Sequence, residues 1–179
     1  YGQASDTPNA TFTQVSAGYD HSCGIDVDGG VQCWGQNNYG QVSDAPSGTF
    51  VQVSAGSNHS CGINIDGGIQ CWGIDWAGQS SPPSGTFVQV STTGVHSCGI
   101  DSSGSVQCWG HDYHGEVSDA PSGSFVQVSA GYFHNCAIDI DGAVQCWGRD
   151  DVGQVSQTPS GEFVGLSAGL EHNCVIDIS

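Results

Sequence analysis

Hydrophobic and polar residues alternate in short segments along the whole chain, and no segment shows the period of a helix. Segment 50–55 is one example, and its alternation predicts a strand with Val51, Val53 and Ala55 on one face. Two further apolar segments follow it, joined by an Asp-Gly dipeptide that is typical of tight hairpin turns. We also predict a short fourth strand at positions 40–43. The pattern indicates an all-β protein.

The same pattern recurs about every 38 residues. The string Cys-Trp-Gly is spaced by 38, 37 and 38 residues and begins at Cys33, Cys71, Cys108 and Cys146. A His-Ser/Asn-Cys triplet repeats with it and begins at His21, His59, His96, His134 and His172. The approximate units are 1–38, 39–76, 77–113, 114–151 and a partial 152–179. Four short strands in each unit predict blades of a β-propeller, about 4.7 of them, with a β-solenoid as the alternative.

Two cysteines lie ten residues apart in each complete unit, on either side of the hairpin turn. If the glycine of that turn adopts the left-handed conformation, the cysteines face each other on adjacent strands, within reach of a disulfide bond. Zinc knuckles, the alternative, need cysteines two to four residues apart. We therefore predict the disulfides Cys23–Cys33, Cys61–Cys71, Cys98–Cys108 and Cys136–Cys146. Such bonds indicate an oxidising compartment, which places the protein outside the cell or at its surface.

The ninth cysteine, Cys174, has no partner at the same spacing, since its mate would fall near position 184. The first residues also match the middle of a unit. We therefore expect the chain to be a segment of a larger propeller or repeat array, with Cys174 unpaired in this segment.

The charge balance limits the classes of partner. Eighteen acidic residues stand against one basic residue, Arg149, for a formal net charge of −17. No basic patch is available for phosphates, so we predict that the chain does not bind nucleic acid. No apolar run is long enough to span a bilayer, so we predict no membrane insertion. A protein partner is expected to be basic, or to be bridged by divalent cations.

The unit as a whole resembles a known repeat. Phe-x-Gln-Val-Ser-Ala-Gly, His-x-Cys-Gly-Ile, Asp-Gly, Val-Gln-Cys-Trp-Gly and Tyr-Gly-Gln together resemble the regulator of chromosome condensation repeat family, over essentially the whole chain. The resemblance implies a propeller. The best-known member is a nucleotide exchange factor for a small nuclear GTPase, but this chain has no insertion resembling its interaction wedge. Secreted bacterial members include a β-lactamase inhibitor that binds through a propeller face. The paired cysteines depart from the commonest repeat and indicate an extracellular variety.

Function is expected where the units differ, because residues shared by every unit are explained by packing the same blade. The loop after the first strand and the loop after Cys-Trp-Gly lie at one end of each blade, and the Asp-Gly turn lies at the other. These variable loops are rich in aromatic residues, a composition typical of binding surfaces. The candidate binding residues are Tyr19, Tyr39, Trp76, Tyr113, Tyr132 and Phe133. The alternative is that these rings cap the blades.

Other candidate chemistry is sparse. The five in-register histidines are better explained as structural residues than as a metal ring. One loop holds plausible zinc or copper ligands at His111, Asp112, His114 and Glu116, although nothing in the sequence makes them converge. We predict no metal site and no cofactor, apart from weak calcium binding allowed by the acidic charge. The asparagines of two glycosylation sequons are Asn9 and Asn58.

No catalytic motif is present, so we predict that the protein is not an enzyme. The leading hypothesis is an extracellular scaffold whose aromatic loop face binds a protein or a glycan. The alternative is a structural segment of an extracellular fibre or surface assembly, in which subunits complete one another's sheets by self-assembly.

Overall fold

Fourteen β-strands in five antiparallel sheets make up the fold, as seen in a computed structural model that describes residues 5–178. The strands are β1 Phe12–Ala17, β2 His21–Asp26, β3 Val31–Gly35, β4 Phe50–Ala55, β5 His59–Asn64, β6 Ile69–Gly73, β7 Phe87–Thr92, β8 His96–Asp101, β9 Val106–Gly110, β10 Phe125–Ala130, β11 His134–Asp139, β12 Val144–Gly148, β13 Phe163–Ala168 and β14 Asn173–Asp177. Over this range no helix is long and apolar enough to cross a membrane. The expected all-β class is confirmed.

Each sheet and its loops form one blade, in which consecutive strands pair as neighbours. The first four blades have three strands and the fifth has two over the described residues. The first strand of each blade packs on the first strand of the next, so these strands are innermost and the blades form the arc of an open propeller. The sheets do not close into a ring within residues 5–178.

The fourth strand predicted at positions 40–43 is wrong, because this segment forms turns. Gly40 has a φ of 80°, and the amide of Asp44 donates to its carbonyl. The amides of Val42 and Ser43 both donate to Oδ1 of Asn37. Because these backbone amides already donate to Asn37 and Gly40, they cannot form the regular hydrogen bonds of a β-strand with a neighbouring strand.

The predicted inward face of segment 50–55 is wrong at one residue, Val51, which is 61% exposed. The pairing of β4 with β5 shifts register between Phe50 and Gln52, so Val51 is the extra residue of a β-bulge. The bulge brings Phe50 to the same side as Val53 and Ala55, and all three are buried. The first strands of the four other blades show the same shift.

The second and third strands of each complete blade form a hairpin with the cysteines in register. Cys61 is directly opposite Cys71, with an S–S distance of 2.07 Å. The turn depends on Gly67, whose φ of 83° is in the region that favours glycine. The other three pairs have the same arrangement: Cys23–Cys33, Cys98–Cys108 and Cys136–Cys146. Each bond closes a short loop and contributes roughly 2–3 kcal/mol in the chain-entropy account.

The hydrophobic core is divided into clusters that lie between successive blades. One cluster joins Cys23 and Ile25 of the first blade to Phe50, Val53 and Trp72 of the second. Equivalent clusters lie between the later blades. Because each core is shared by two blades, no blade buries its apolar surface alone.

Polar side chains of the innermost strands link the blades to one another. The amide of Val90 donates to Oε1 of Gln52, and Nε2 of Gln52 donates to the carbonyl of Val90. Two residues along, the amide of Thr92 donates to Oγ of Ser54. The repeated Gln-Val-Ser string therefore supplies hydrogen bonds from each blade to the next.

Histidines make a second set of links between blades. Nε2 of His21 lies 2.7 Å from Oγ of Ser60 on the following blade, and Nε2 of His59 lies 2.8 Å from Oγ of Ser97. His96 and His134 contact Asn135 and Asn173 in the same way. All four imidazoles are fully buried. Each histidine thus bridges two blades, which is the structural role expected from the repeat.

Acid should destabilise the fold through these histidines. Burial lowers the pKa of His21 to about 4 and that of His59 to about 3. The unfolded chain binds these protons near pH 6.5 and the folded chain does not. The free energy of unfolding should therefore fall as the pH drops from about 6.5 to about 4, by up to about 1.4 kcal/mol per histidine per pH unit.

Denaturant titrations across this pH range measure the effect. His59→Gln, which keeps a donor near Ser97, should reduce the pH dependence, whereas the same change at the exposed His172 should not. Hydrogen bonds from Ser103 and Gln107 help to lower the pKa of Asp101 to about 2, so this turn carboxylate adds to the loss of stability only below about pH 5, where the unfolded chain begins to protonate it. Stability that stays constant between pH 6.5 and 4 would contradict the prediction.

Candidate functional site

Two sets of loops meet at one end of the blades, which we call the loop face. They are the loops after the first strand and after the third strand of each blade. The amide of Ile74 donates to the carbonyl of Asn58, and the amide of His111 donates to that of Val95. Gln36 and Arg149 are joined to the inner loops in the same way. The hairpin turns lie at the opposite end, as antiparallel order requires.

An Asn or Asp at the same position shapes each outer loop. Oδ1 of Asp112 accepts hydrogen bonds from the amides of Val117 and Ser118. Asp150 has the equivalent contacts with Val155 and Ser156, and they lower its pKa. Asn37 and Asp75 also accept backbone amides. These side chains hold the loops rigid, which fixes the direction of the variable residues between them.

The loops of the second, third and fourth blades bring six rings together in an aromatic row. The row consists of Trp76, His111, Tyr113, His114, Tyr132 and Phe133. The ring centroid of His111 is 5.7 Å from that of Trp76 and 6.1 Å from that of Phe133. Tyr113 packs edge-on against His114 at 4.9 Å, and Tyr132 packs against Phe133 at 4.4 Å. His111 therefore connects rings from three successive blades.

The outer rings of the row are open to solvent. Trp76 is 62% exposed and Tyr113 is 79% exposed. The four other tryptophans, one in each Cys-Trp-Gly string, are only 5–8% exposed. The indole of Trp76 is therefore not part of the packing that the repeat requires.

Four of the six candidate binding residues lie in the row: Trp76, Tyr113, Tyr132 and Phe133. Tyr39 lies on the outer loop of the first blade, half exposed and apart from the row. Tyr19 lines a cavity of about 310 Å³ at the inner ends of the blades, and Tyr132 lines it as well. The sequence could not show that His111 and His114 join the rings, because this depends on how adjacent blades align.

A charged group lies at one end of the row. The guanidinium carbon of Arg149 is 6.0 Å from the ring centroid of Phe133. Its Nε is 2.6 Å from Oδ2 of Asp151. Glu171, on the next blade, places its Oε1 3.7 Å from Nη1 of the guanidinium. The chain's one basic side chain is thus placed on an aromatic ring between two carboxylates. Arg149 was not among the site residues predicted from the sequence, although its being the single basic residue was a signal that could have marked it.

Beneath the row lies a buried carboxylate. Glu116 is fully buried, and its Oε2 accepts a hydrogen bond from the amide of His114. Its Oε1 has no hydrogen-bond partner and lies 3.6 Å from Nδ1 of His111. In the four other units the same position is glutamine: Gln3, Gln41, Gln79 and Gln154.

The possible zinc or copper ligands on this loop separate into different environments. Asp112 caps its own loop, Glu116 is buried, and His114 packs against Tyr113 and Phe133. Within residues 5–178 no group of three or more His, Cys, Asp or Glu side chains is arranged to hold a metal ion.

The two sequons have different surroundings. Asn9 is exposed. Asn58 is half-buried, and the hydroxyl of its sequon residue Ser60 is hydrogen-bonded to His21. Glycosylation at either position stays a prediction.

Several solved structures have folds similar to that of this chain. The ectodomain of the Physcomitrella patens receptor kinase CR4 matches 92% of this chain at 22% identity, with a TM-score of 0.80. The CRINKLY WD40 ectodomain of the Arabidopsis thaliana receptor kinase ACR4 matches 94% at 25% identity, with a TM-score of 0.79. Prp20p of Saccharomyces cerevisiae matches 97% at 15% identity, with a TM-score of 0.80.

The chain spans only part of these proteins: 50% of the CR4 ectodomain, 69% of the ACR4 ectodomain and 57% of Prp20p. No curated protein sequence matches it. The model of the Regulator of chromosome condensation (RCC1) repeat matches four times, at residues 12–41, 50–79, 87–116 and 125–154. These four matches cover most of the chain and coincide with the four complete blades, so the chain belongs to the RCC1 repeat family.

Proposed function

We propose that the protein is an extracellular, non-catalytic scaffold that binds a protein partner through the aromatic row. The observation that carries this proposal is the row itself, in which rings from three blades form one surface while Trp76 and Tyr113 stay exposed. Exposed aromatic clusters on rigid loops are typical of the energetic centres of protein interfaces. The repeat needs none of these rings for packing, because its Phe and Trp residues fill the cores between the blades.

Two further observations support the location and the kind of partner. Four disulfide bonds favour an oxidising compartment, and the two receptor kinase structures with this fold are ectodomains. Prp20p, with the same fold, is described for its binding properties to Gsp1p and histones, which are proteins. A glycan is the other ligand class that aromatic rings accommodate, and the experiment below separates the two.

Removing the two exposed rings should weaken partner binding without unfolding the chain. We expect peptides selected from a displayed random library to lose about tenfold or more in affinity for the Trp76→Ala/Tyr113→Ala variant. Surface plasmon resonance measures the loss, and a glycan array probed with both proteins tests the other ligand class.

The matched control is Ile65→Ala, which removes an equally exposed apolar side chain from the hairpin end. It should bind the selected peptides as the wild type does. Selection of peptides that bind the double variant equally well, or glycan binding alone, would contradict a protein-binding row.

The fifth blade holds a second candidate site, an edge that accepts an added strand. Over the described residues β14 pairs on one edge only, and Cys174 beside that edge is free and exposed. A slot of about 210 Å³ lies next to it, lined by Val144, Cys146 and Thr158 among others. Between the first two blades the equivalent place is filled by a hydrophobic cluster that contains Trp72, and Val31, Cys33 and Ala45 pack against that cluster.

The slot has the hydrogen-bond acceptor that an indole needs. Nε1 of Trp147 and Nδ2 of Asn135 both donate to the carbonyl of Glu116. In the fifth blade Nδ2 of Asn173 donates to the carbonyl of Gln154, which keeps room for a second donor. The slot and the cysteine therefore fit a strand that carries Cys-Trp.

A peptide copied from residues 143–148, Ala-Val-Gln-Cys-Trp-Gly, should add to β14 and form a disulfide with Cys174 under oxidising conditions. Intact-mass spectrometry detects the adduct, and Cys174→Ser should abolish it. A peptide with alanine in place of tryptophan is the control for random thiol oxidation. Equal yields from the two peptides would exclude strand addition.

A further inference from the structure

We propose that the aromatic row binds arginine or lysine side chains of a basic segment in the partner. This inference rests on the proposed function and names the chemistry of the ligand. It is carried by three features of the loop face: a resident cation, exposed rings that have no cation of their own, and a buried carboxylate beneath them.

The resident cation is Arg149, and it demonstrates how this face holds a guanidinium. The group lies over the ring of Phe133 and is flanked by Asp151 and Glu171. A planar cation stacked on a ring gains from the ring quadrupole, and carboxylates at its edge accept its N–H groups. The same face therefore combines the two elements that recognise arginine.

The rest of the row has exposed aromatic rings and neighbouring carboxylates but no cation. Trp76 and Tyr113 are exposed, and each directly follows an exposed aspartate, Asp75 or Asp112. The chain contains no lysine and no second arginine, so its own side chains supply no other guanidinium or ammonium group for these rings. The net charge of −17 attracts a basic segment and repels an acidic one.

Glu116 adds a negative group at the middle of the row. Its Oε1 is buried without a hydrogen-bond partner and faces His111, which packs against Trp76, Tyr113 and Phe133. A buried carboxylate is more costly to the fold than the glutamine found in the four other units. The charge lowers the potential at the rings above it, where a cationic ligand gains from it.

The test uses short peptides that differ in one property. Acetyl-Gly-Arg-Gly-Arg-Gly-amide carries the cation, and the same peptide with citrulline has the same shape without the charge. Calorimetry gives both affinities, and the fluorescence of the exposed Trp76 reports whether binding occurs at the row. We expect the arginine peptide to bind at least about tenfold more tightly than the citrulline peptide.

Three variants locate the binding. The double variant Trp76→Ala/Tyr113→Ala should bind the arginine peptide with about tenfold lower affinity. Asp28→Asn at the hairpin end, which removes only a charge, should leave the affinity unchanged. Arg149→Ala leaves Phe133, Asp151 and Glu171 without their resident cation and should increase the affinity for the arginine peptide. A purely structural role for Arg149 predicts no increase.

Glu116→Gln is a conservative variant, because glutamine occupies this position in the other units. It should raise the melting temperature by about 2–4 °C and lower the affinity for the arginine peptide several-fold. A change in melting temperature with unchanged affinity would overturn the role of Glu116.

Equal affinity for arginine and citrulline peptides, or binding of the arginine peptide that is unaffected by loss of both rings, would overturn the inference. If peptides from the displayed library bind through Trp76 and Tyr113 but are not basic, this inference fails while the protein-binding function stands. If no ligand depends on the two rings, both fail together.

Discussion

The structure depends on one constraint: polar groups buried in one blade must find their partners on the next. Four histidines are buried completely, and each places Nε2 against a serine or asparagine one blade further on. Glutamine and serine side chains of the innermost strands do the same for backbone groups. A buried polar group without its partner is costly, so a small change in the angle between two blades breaks several hydrogen bonds together. The relative position of the blades is therefore fixed far more tightly than apolar contact alone would require.

This rigid frame makes the loop face useful. The outer loops are held by Asn or Asp side chains that bond to their own backbone, so the variable residues start from fixed positions. Trp76, His111 and Phe133 come from different blades, and their contacts depend on the spacing between those blades. A binding surface assembled in this way has little ordering left to do when a ligand arrives, which favours affinity.

Much of the fold could be predicted from the sequence because the same strand pattern and the same cysteine and glycine positions recur in every complete unit. The spacing of ten between cysteines, with a glycine at the turn, was enough to place Cys61 opposite Cys71. The bulge at Val51 was not predictable, because simple alternation gives no sign of an extra residue in the ladder. The turns at 40–43 were mistaken for a strand because the side chain of Asn37, which binds their amides, lies outside the alternating pattern. All six aromatic candidates were predicted at one end of the blades, but which of them form the row was not, because the contacts of His111 and the burial of Glu116 arise between loops that are distant in sequence.

The disulfide bonds have a consequence for how such a chain changes over time. Each of the four begins and ends within one repeat, and none crosses from blade to blade. A duplication or deletion of a whole unit therefore leaves no bond cut in two. Each disulfide bond lies within one unit, whereas the hydrogen bonds between blades use the same positions throughout, with Ser or Asn opposite each buried His. An inserted copy therefore meets compatible groups on both sides. The architecture is thus suited to growth by recombination, with the loop residues free to diverge after each event.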